Sequence, residues 1–321
     1  MRQLIPRVAG QAGRLLERRS SRSPGAFGIV LLHHEIAPEQ GNDGEEVVPA
    51  LGEEIFRAQL EHLGRHYEVV PLADLVERAR NRGAGDRIPA AITFDDDLSR
   101  HLSVAAPILE EFGFPATFFL CGNSLQGPSS FWWQDLQLIL NRGPDGREEL
   151  HRELAEEWSW AKLNGNISDL TDTIESSTPQ QRDAIAAVLR KLAGPERLDD
   201  GLSAADVKKL ADRGFEIGFH TRHHYSLQSL TEKELEREMR EGLDELEAAS
   251  GRRPTSIAYP YAKADLRIAD AARKAGFELG VIGKGIVATP EHHPLLVPRW
   301  VAYADSIGMF VWSLGRTTGA A

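Results

Sequence analysis

The stretch "IPAAITFDDDLSR", residues 88–100, places a short apolar run directly before three consecutive aspartates. An apolar run of this length, bounded by polar residues that favour turns, reads as a buried strand. Asp95, Asp96 and Asp97 repel one another, so a chain that only has to fold gains nothing from clustering them. The strand belongs to a series. "FGIVLLH" (27–33), "EVVPL" (68–72), "FPATFFL" (114–120), "FEIGFH" (215–220), "TSIAYP" (255–260) and "FELGVIG" (277–283) have the same character. Between them lie helical patterns: "EEIFRAQLEHLGRHY", "LADLVERARNRG", "LSVAAPILEEFG", "SAADVKKLADRG", "TEKELEREMREGLDELEAASG" and "ADLRIADAARKAG". Several carry their own start and stop signals. Ser203 is a plausible N-cap, Thr231 and Glu234 form a capping box that opens a single helix to Gly251, and Gly83, Gly113 and Gly214 end others.

Strand–helix alternation at this spacing predicts parallel βα units in an α/β fold. Six or seven such units predict a distorted (β/α) barrel of about seven parallel strands rather than an open sheet. In such a barrel the chemistry sits where strands end and the following loops begin. "TFDDD" (93–97), "GFHTRHH" (218–224) and "AYPYA" (258–262) all fall at that position.

The rest of the chain sets bounds. It has 321 residues, 41% of them hydrophobic, and a formal net charge of −11, which excludes a basic nucleic-acid-binding surface as the main partner site. Cys121 is the lone cysteine, so no internal disulfide forms, and it reads as a small core residue. No run approaches the ~18 apolar residues of a membrane span. Residues 1–25 are arginine-rich without an apolar signal region, so the compartment, cytoplasmic or cell-envelope associated, stays open. Their apolar residues fall near helical spacing, which fits a helix docked on the domain or a peripheral membrane contact. Residues 26–321 form the catalytic domain on this reading. A mainly helical insertion or cap interrupts it over about residues 122–200, opening with "SSFWWQDLQLIL".

His220 and His224 are four residues apart, a spacing that lets both imidazoles converge in a helix or a turn, whereas His223 lacks it. Two imidazoles and a carboxylate suit one divalent ion, zinc first, with Co2+, Ni2+ or Mn2+ as alternatives. Such an ion neutralises the aspartate cluster. One aspartate binds it, and a neighbour pointing the other way acts as a base.

Taken together these motifs resemble the polysaccharide deacetylases of carbohydrate esterase family four, the nodulation-type deacetylases. "TFDDD" is similar to that family's Thr-Phe-Asp-Asp-Gly, "HTRHH" to its His-Ser/Thr-x-x-His, and "AYPYA" to its Arg-Pro-Pro-Tyr-Gly. "PILEEFGFPATFFL" (107–120) resembles the segment after the first motif, and the resemblance spans about residues 28–121 and 200–300. It implies a distorted barrel that removes an N-acetyl group from an amino sugar in a polysaccharide, oligosaccharide or glycoconjugate. It assigns Asp95 as general base, Asp96, His220 and His224 as metal ligands, and the third motif, with Pro260 and the backbone N–H of Tyr261, to substrate and oxyanion. "IVLLHHEI" resembles the start of circularly permuted members, which makes His34 the general acid and His33 its competitor. Adjacent strand residues point to opposite faces, so one of the two faces the pocket.

Three departures stand out. Asp97 replaces glycine and either contacts substrate or water or points to solvent, the second being slightly favoured. Ala258 stands where many members have an arginine that holds the base, and Arg299 in "VPRW" is a candidate to supply that charge from another strand. Ala262 replaces the last glycine. Trp132 and Trp133 open the insertion; they offer flat faces to a sugar, with Trp133 the substrate candidate, or pack their helix. The same metal chemistry also fits another amide or an O-acyl ester, and the fold without turnover fits a carbohydrate-binding member.

Overall fold

A computed structural model describes residues 4–22, 25–127, 129–157, 167–194 and 201–320. The strands of its main sheet are β1 (Ile29–His33), β2 (Tyr67–Val69), β3 (Ile88–Asp95), β4 (Thr117–Leu120), β5 (Glu216–Phe219), β6 (Ser256–Ala258), β7 (Leu279–Gly283) and β8 (Val297–Val301). All pair in parallel. β1 pairs with β3 on one side (Leu31 opposite Ile92) and with β8 on the other (Leu31 opposite Trp300), which closes a seven-stranded barrel. β2 pairs with the start of β3 and adds a short flap outside the ring. The strand over 297–301 is the one that the sequence reading invoked for Arg299, although Pro298 and Arg299 break its apolar run.

Period-two alternation divides the core. Val30, Ala91, Phe119, Ala258, Val281 and Val297 form a cluster inside the barrel, while Ile29, Leu31, Ile92, Phe94 and Phe118 meet the surrounding helices. Gly218 is required there, because a Cβ at this position would stand 2.4 Å from the Phe119 ring.

The expected helix over 231–251 is two helices, Glu232–Glu238 and Leu243–Ser250. Gly242 adopts φ 93° between them, a conformation that ends one helix and starts the other at no steric cost. The capping box of Thr231 and Glu234 is present.

Helix α1 (Leu4–Arg22) lies along the C-terminal helix, Ile307–Gly319. The two backbones touch through glycines. A Cβ on Gly13 would stand 2.3 Å from the Val311 carbonyl oxygen, and one on Gly308 would stand 2.0 Å from that of Pro6. Glu17 of α1 is buried and accepts hydrogen bonds from the Tyr67 hydroxyl (2.8 Å) and His62 Nε2 (2.9 Å). The N-terminal segment is thus a docked helix, and a membrane contact through it is not supported. No helix among the described residues is long and apolar enough to cross a membrane.

Between β4 and β5 the described chain is helical, with α2 (Trp132–Leu140), Pro144–Glu157, α3 (Ile167–Glu175) and Pro179–Ala193. Phe131, Trp132, Trp133, Leu136, Ile139 and Leu189 give these helices a core of their own. They cover the end of the barrel where the strands finish.

Candidate active site

Asp95 is the last residue of β3, and its side chain faces the barrel interior. Arg299 of β8 reaches across that interior. Its two terminal nitrogens donate to the two Asp95 carboxylate oxygens at 2.6 Å each, and one also reaches Thr93 Oγ1 at 3.2 Å. Arg299 has no solvent exposure, and a buried guanidinium is tolerated when a planar bidentate partner matches it. Burial alone raises the Asp95 carboxyl, but Arg299 and His220 outweigh it and hold the group at about 2. The arginine missing at Ala258 is replaced in space from a different strand.

The chain turns sharply at Asp96, whose φ is 77°. His101, at the start of the following helical turn, fixes that corner: its Nε2 donates to the carbonyl oxygens of Asp95 (2.9 Å) and Asp96 (3.1 Å). The turn aims Asp96 Oδ1 at His220 Nε2 (3.7 Å) and His224 Nε2 (3.8 Å). The two histidines converge in a turn rather than on a helix, with Thr221 and His224 in the left-handed region. His220 Nδ1 donates to the Ala258 carbonyl at 2.7 Å, so its Nε2 carries the lone pair.

Asp96 Oδ1 is buried and has no hydrogen-bond partner among the described residues. Burial and the neighbouring Asp95 and Asp97 push its carboxyl well above the usual range, while burial pushes His220 and His224 down. An acceptor oxygen facing two imidazole nitrogens, with no donor between them, is an arrangement a cation satisfies. The three ligand atoms lie within 4.8 Å of one another. The donor set and its spacing fit one divalent ion. His223 points elsewhere, its Nδ1 on Glu238 at 2.7 Å.

Asp97 corrects the expectation made for it. It neither lines the cavity over the two histidines nor faces solvent. It is 2% exposed, and its carboxylate accepts the backbone N–H groups of Cys121 (2.7 Å), Gly122 (3.2 Å) and Asn123 (2.9 Å). The third aspartate therefore ties the loop after β4 to the loop after β3. The three charges have three separate partners: an arginine, a metal-type donor set and a nest of backbone amides.

Alternation on β1 separates the two histidines. His33 packs outward, stacked on Phe94 with ring centroids 5.1 Å apart and its Nε2 3.3 Å from Gln59 Oε1. His34 lines the cavity with Asp95 and the triad. Burial, reinforced by Arg299 and opposed by Asp95, lowers His34 to about 4.

The cavity holds about 300 Å3. Trp132, Trp133 and Tyr261 wall it, and α3 adds Thr171 and Glu175. Trp133 is 7% exposed, stacked on Phe131 at 4.1 Å and 5.1 Å from the His224 ring, so it packs its helix and lines the cavity at once. The Tyr261 hydroxyl donates to the His224 carbonyl (3.3 Å) and accepts from Trp132 Nε1 (3.2 Å), which makes it a brace between the third motif, the second motif and the insertion. Pro260 is buried in the same turn, and Tyr261 and Ala262 both have positive φ. Sequence reasoning missed His101 and the amide-binding role of Asp97. Neither has a spacing rule; a histidine soon after an aspartate cluster is the one signal available for the first.

A closed parallel barrel thus gathers a carboxylate and two histidines at its strand ends, where such folds carry their chemistry. A family model described as polysaccharide deacetylase matches residues 82–280, and the chain belongs to that family. Among solved structures it is similar to the deacetylase PplD from Streptococcus pyogenes, in complex with acetate, with TM-score 0.60 at 15% identity over 91% of this chain and 98% of that one. It is also similar to a de-N-acetylase from Aggregatibacter actinomycetemcomitans (TM-score 0.56, 14% identity, 88% and 99% covered). A third is IcaB from Ammonifex degensii (TM-score 0.55, 16% identity, 90% and 98% covered). At these identities the likeness is one of fold. No curated protein matches. Family membership supports carbohydrate deacetylation.

Proposed function

We propose that this chain is a metal-dependent hydrolase that removes the N-acetyl group of an amino sugar. The observation that carries the reading is the unpartnered Asp96 Oδ1, facing two histidine nitrogens beside an Asp95 locked by Arg299. Asp96, His220 and His224 would hold one divalent ion, zinc first, which acidifies water and polarises the acyl carbonyl.

The remaining work falls to the chain. Asp95 is ionised at neutral pH, with its oxygens oriented by Arg299, and takes the proton of the attacking water. The backbone N–H of Tyr261 is assigned to the oxyanion through its place in the third motif. His34 protonates the leaving amine. It is neutral in the resting site because of burial; it takes up a proton from solvent as negative charge builds beside it on the acyl centre and passes that proton to the amine nitrogen as the C–N bond breaks, while Asp95 returns the water's proton to solvent.

The test is acetate release from N-acetylglucosamine oligomers by metal-stripped protein, with and without added zinc or cobalt. Metal-dependent release is expected. Asp95→Asn is expected to bind cobalt and lose turnover, and His220→Ala to lose both. Metal bound without release from any oligomer would sink the amino-sugar assignment. Near-normal turnover by Asp95→Asn would remove the base.

A further inference from the structure

The two histidines of the triad are held by different parts of the molecule. His220 is set by the barrel, through the bond from its Nδ1 to the Ala258 carbonyl at the end of β6. His224 Nδ1 is buried and has no hydrogen-bond partner on any other described residue. A metal-binding histidine ordinarily donates this second N–H to an acceptor that fixes its ring. The orientation of His224 has to come from elsewhere.

The helical insertion supplies it. The Trp133 and Phe131 rings stand 5.1 Å and 5.9 Å from the His224 ring, and the Tyr261 ring stands at 4.8 Å. The backbone of His224 is held as well, since the Tyr261 hydroxyl that Trp132 braces donates to its carbonyl. The next residue, Tyr225, is buried, and its hydroxyl donates to Asp183 Oδ2 at 2.5 Å, on the helix Pro179–Ala193 of the insertion. Arg182 lies over the Tyr225 ring at 5.2 Å and pairs with Asp183 Oδ1 at 3.1 Å.

The residue before is anchored too. His223 stacks on Tyr225 with ring centroids 5.2 Å apart, and its Nδ1 rests on the fully buried Glu238. His224 thus sits between two anchored neighbours in a left-handed conformation, φ 52°. A residue in that region keeps its conformation only while its surroundings hold it.

We propose that Asp183 and Tyr225 are positioning residues for the metal site: through them the insertion clamps the chain beside His224 and aims its Nε2 at the ion. The inference rests on the metal reading above. It adds that the insertion, besides covering the cavity, sets how tightly the ion is held.

The experiment is cobalt affinity, measured on the metal-stripped full chain by competition with a chelator, together with the visible spectrum of the bound ion. Tyr225→Phe, Asp183→Ala, the double variant and Asp183→Asn are compared with the wild type. Tyr225→Phe and Asp183→Ala are each expected to bind cobalt at least about tenfold more weakly and to alter the visible bands as His224 is displaced. The double variant is expected to lose no more than about twofold beyond the worse single one, because both changes remove the same bond. Asp183→Asn keeps an acceptor oxygen and is expected to stay within about threefold of the wild type. Single variants that bind cobalt as the wild type does, with the same spectrum, overturn the clamp, even if denaturant unfolds their metal-free forms more easily. Losses that multiply in the double variant, or an Asp183→Asn as weak as Asp183→Ala, overturn it too. A wild type that binds no cobalt overturns the metal reading and the clamp with it. Acetate release is not the readout, so a failed amino-sugar assignment is never mistaken for a failed clamp.

Discussion

Two regions of the molecule meet opposite demands. In the loops over the triad the backbone is strained: Asp96, Thr221, His224, Tyr261 and Ala262 are the five non-glycine residues with positive φ among those described. Each costs on the order of 1 kcal/mol or more and persists because its surroundings hold it. Where α1 meets the C-terminal helix, the chain uses glycine at the close approaches, and the helices touch with regular geometry. The first region gives up stability to aim side chains. The second gains stability and aims nothing at the site.

The largest effect separates the two at once. Asp96→Asn is expected to lower deacetylase turnover by at least about a thousandfold and to abolish cobalt binding. The metal-free variant should unfold no more easily than the wild type, because it replaces a carboxyl whose charged form burial and the neighbouring aspartates already disfavour with a neutral amide of similar shape. A clear loss of metal-free stability would mean that Asp96 serves the fold. Gly13→Ala is the converse experiment. Its methyl collides with the Val311 carbonyl, so a loss of about 1–3 kcal/mol in denaturant unfolding is expected, with turnover per folded molecule retained. If Gly13→Ala proved as stable as the wild type, the helix contact would not be the source of stability assigned to it.

Ala262→Gly sharpens the contrast in the opposite direction. Glycine adopts φ 57° freely, and relief of strain less the added chain entropy leaves a gain of about 0.5 kcal/mol. A lower melting midpoint would show that Ala262 is unstrained.

The smallest effect is a pH dependence under α1. Burial lowers His66, His62, Arg18 and Arg14 lower it further, and Glu17 opposes them without reversing the shift. Its folded value lies below its unfolded one, so the stability it contributes is present above about pH 6.5 and is lost as pH falls through the folded value. His66→Gln removes that loss, so its midpoint should gain on the wild type between about pH 7.5 and pH 5. A difference constant with pH would rule this out.

Much of the site was legible because strand ends in a parallel barrel are sequence landmarks: "TFDDD", "HTRHH" and "AYPYA" lie where βα alternation put them. What stayed hidden depends on partners distant in the chain. Asp97 looked solvent-facing because nothing nearby announces the amides of residues 121–123. The 231–251 segment looked like one helix because its charge pattern is continuous, and Gly242, a residue helices tolerate at a cost of about 1 kcal/mol, splits it. His33 and His34 could be told apart only once the faces of β1 were known.

The Arg299–Asp95 pair has a consequence for how the protein comes into being. Its members are 204 positions apart, and Arg299 arrives on the strand that closes the ring beside β1. Until that strand docks, Asp95 is a carboxylate without its counter-ion, however complete the triad beside it. A chain without the Arg299 strand can own every motif and still have no oriented carboxylate at Asp95. The orientation of Asp95 is thus a property of the closed ring, and the seam between β1 and β8 completes barrel and site together.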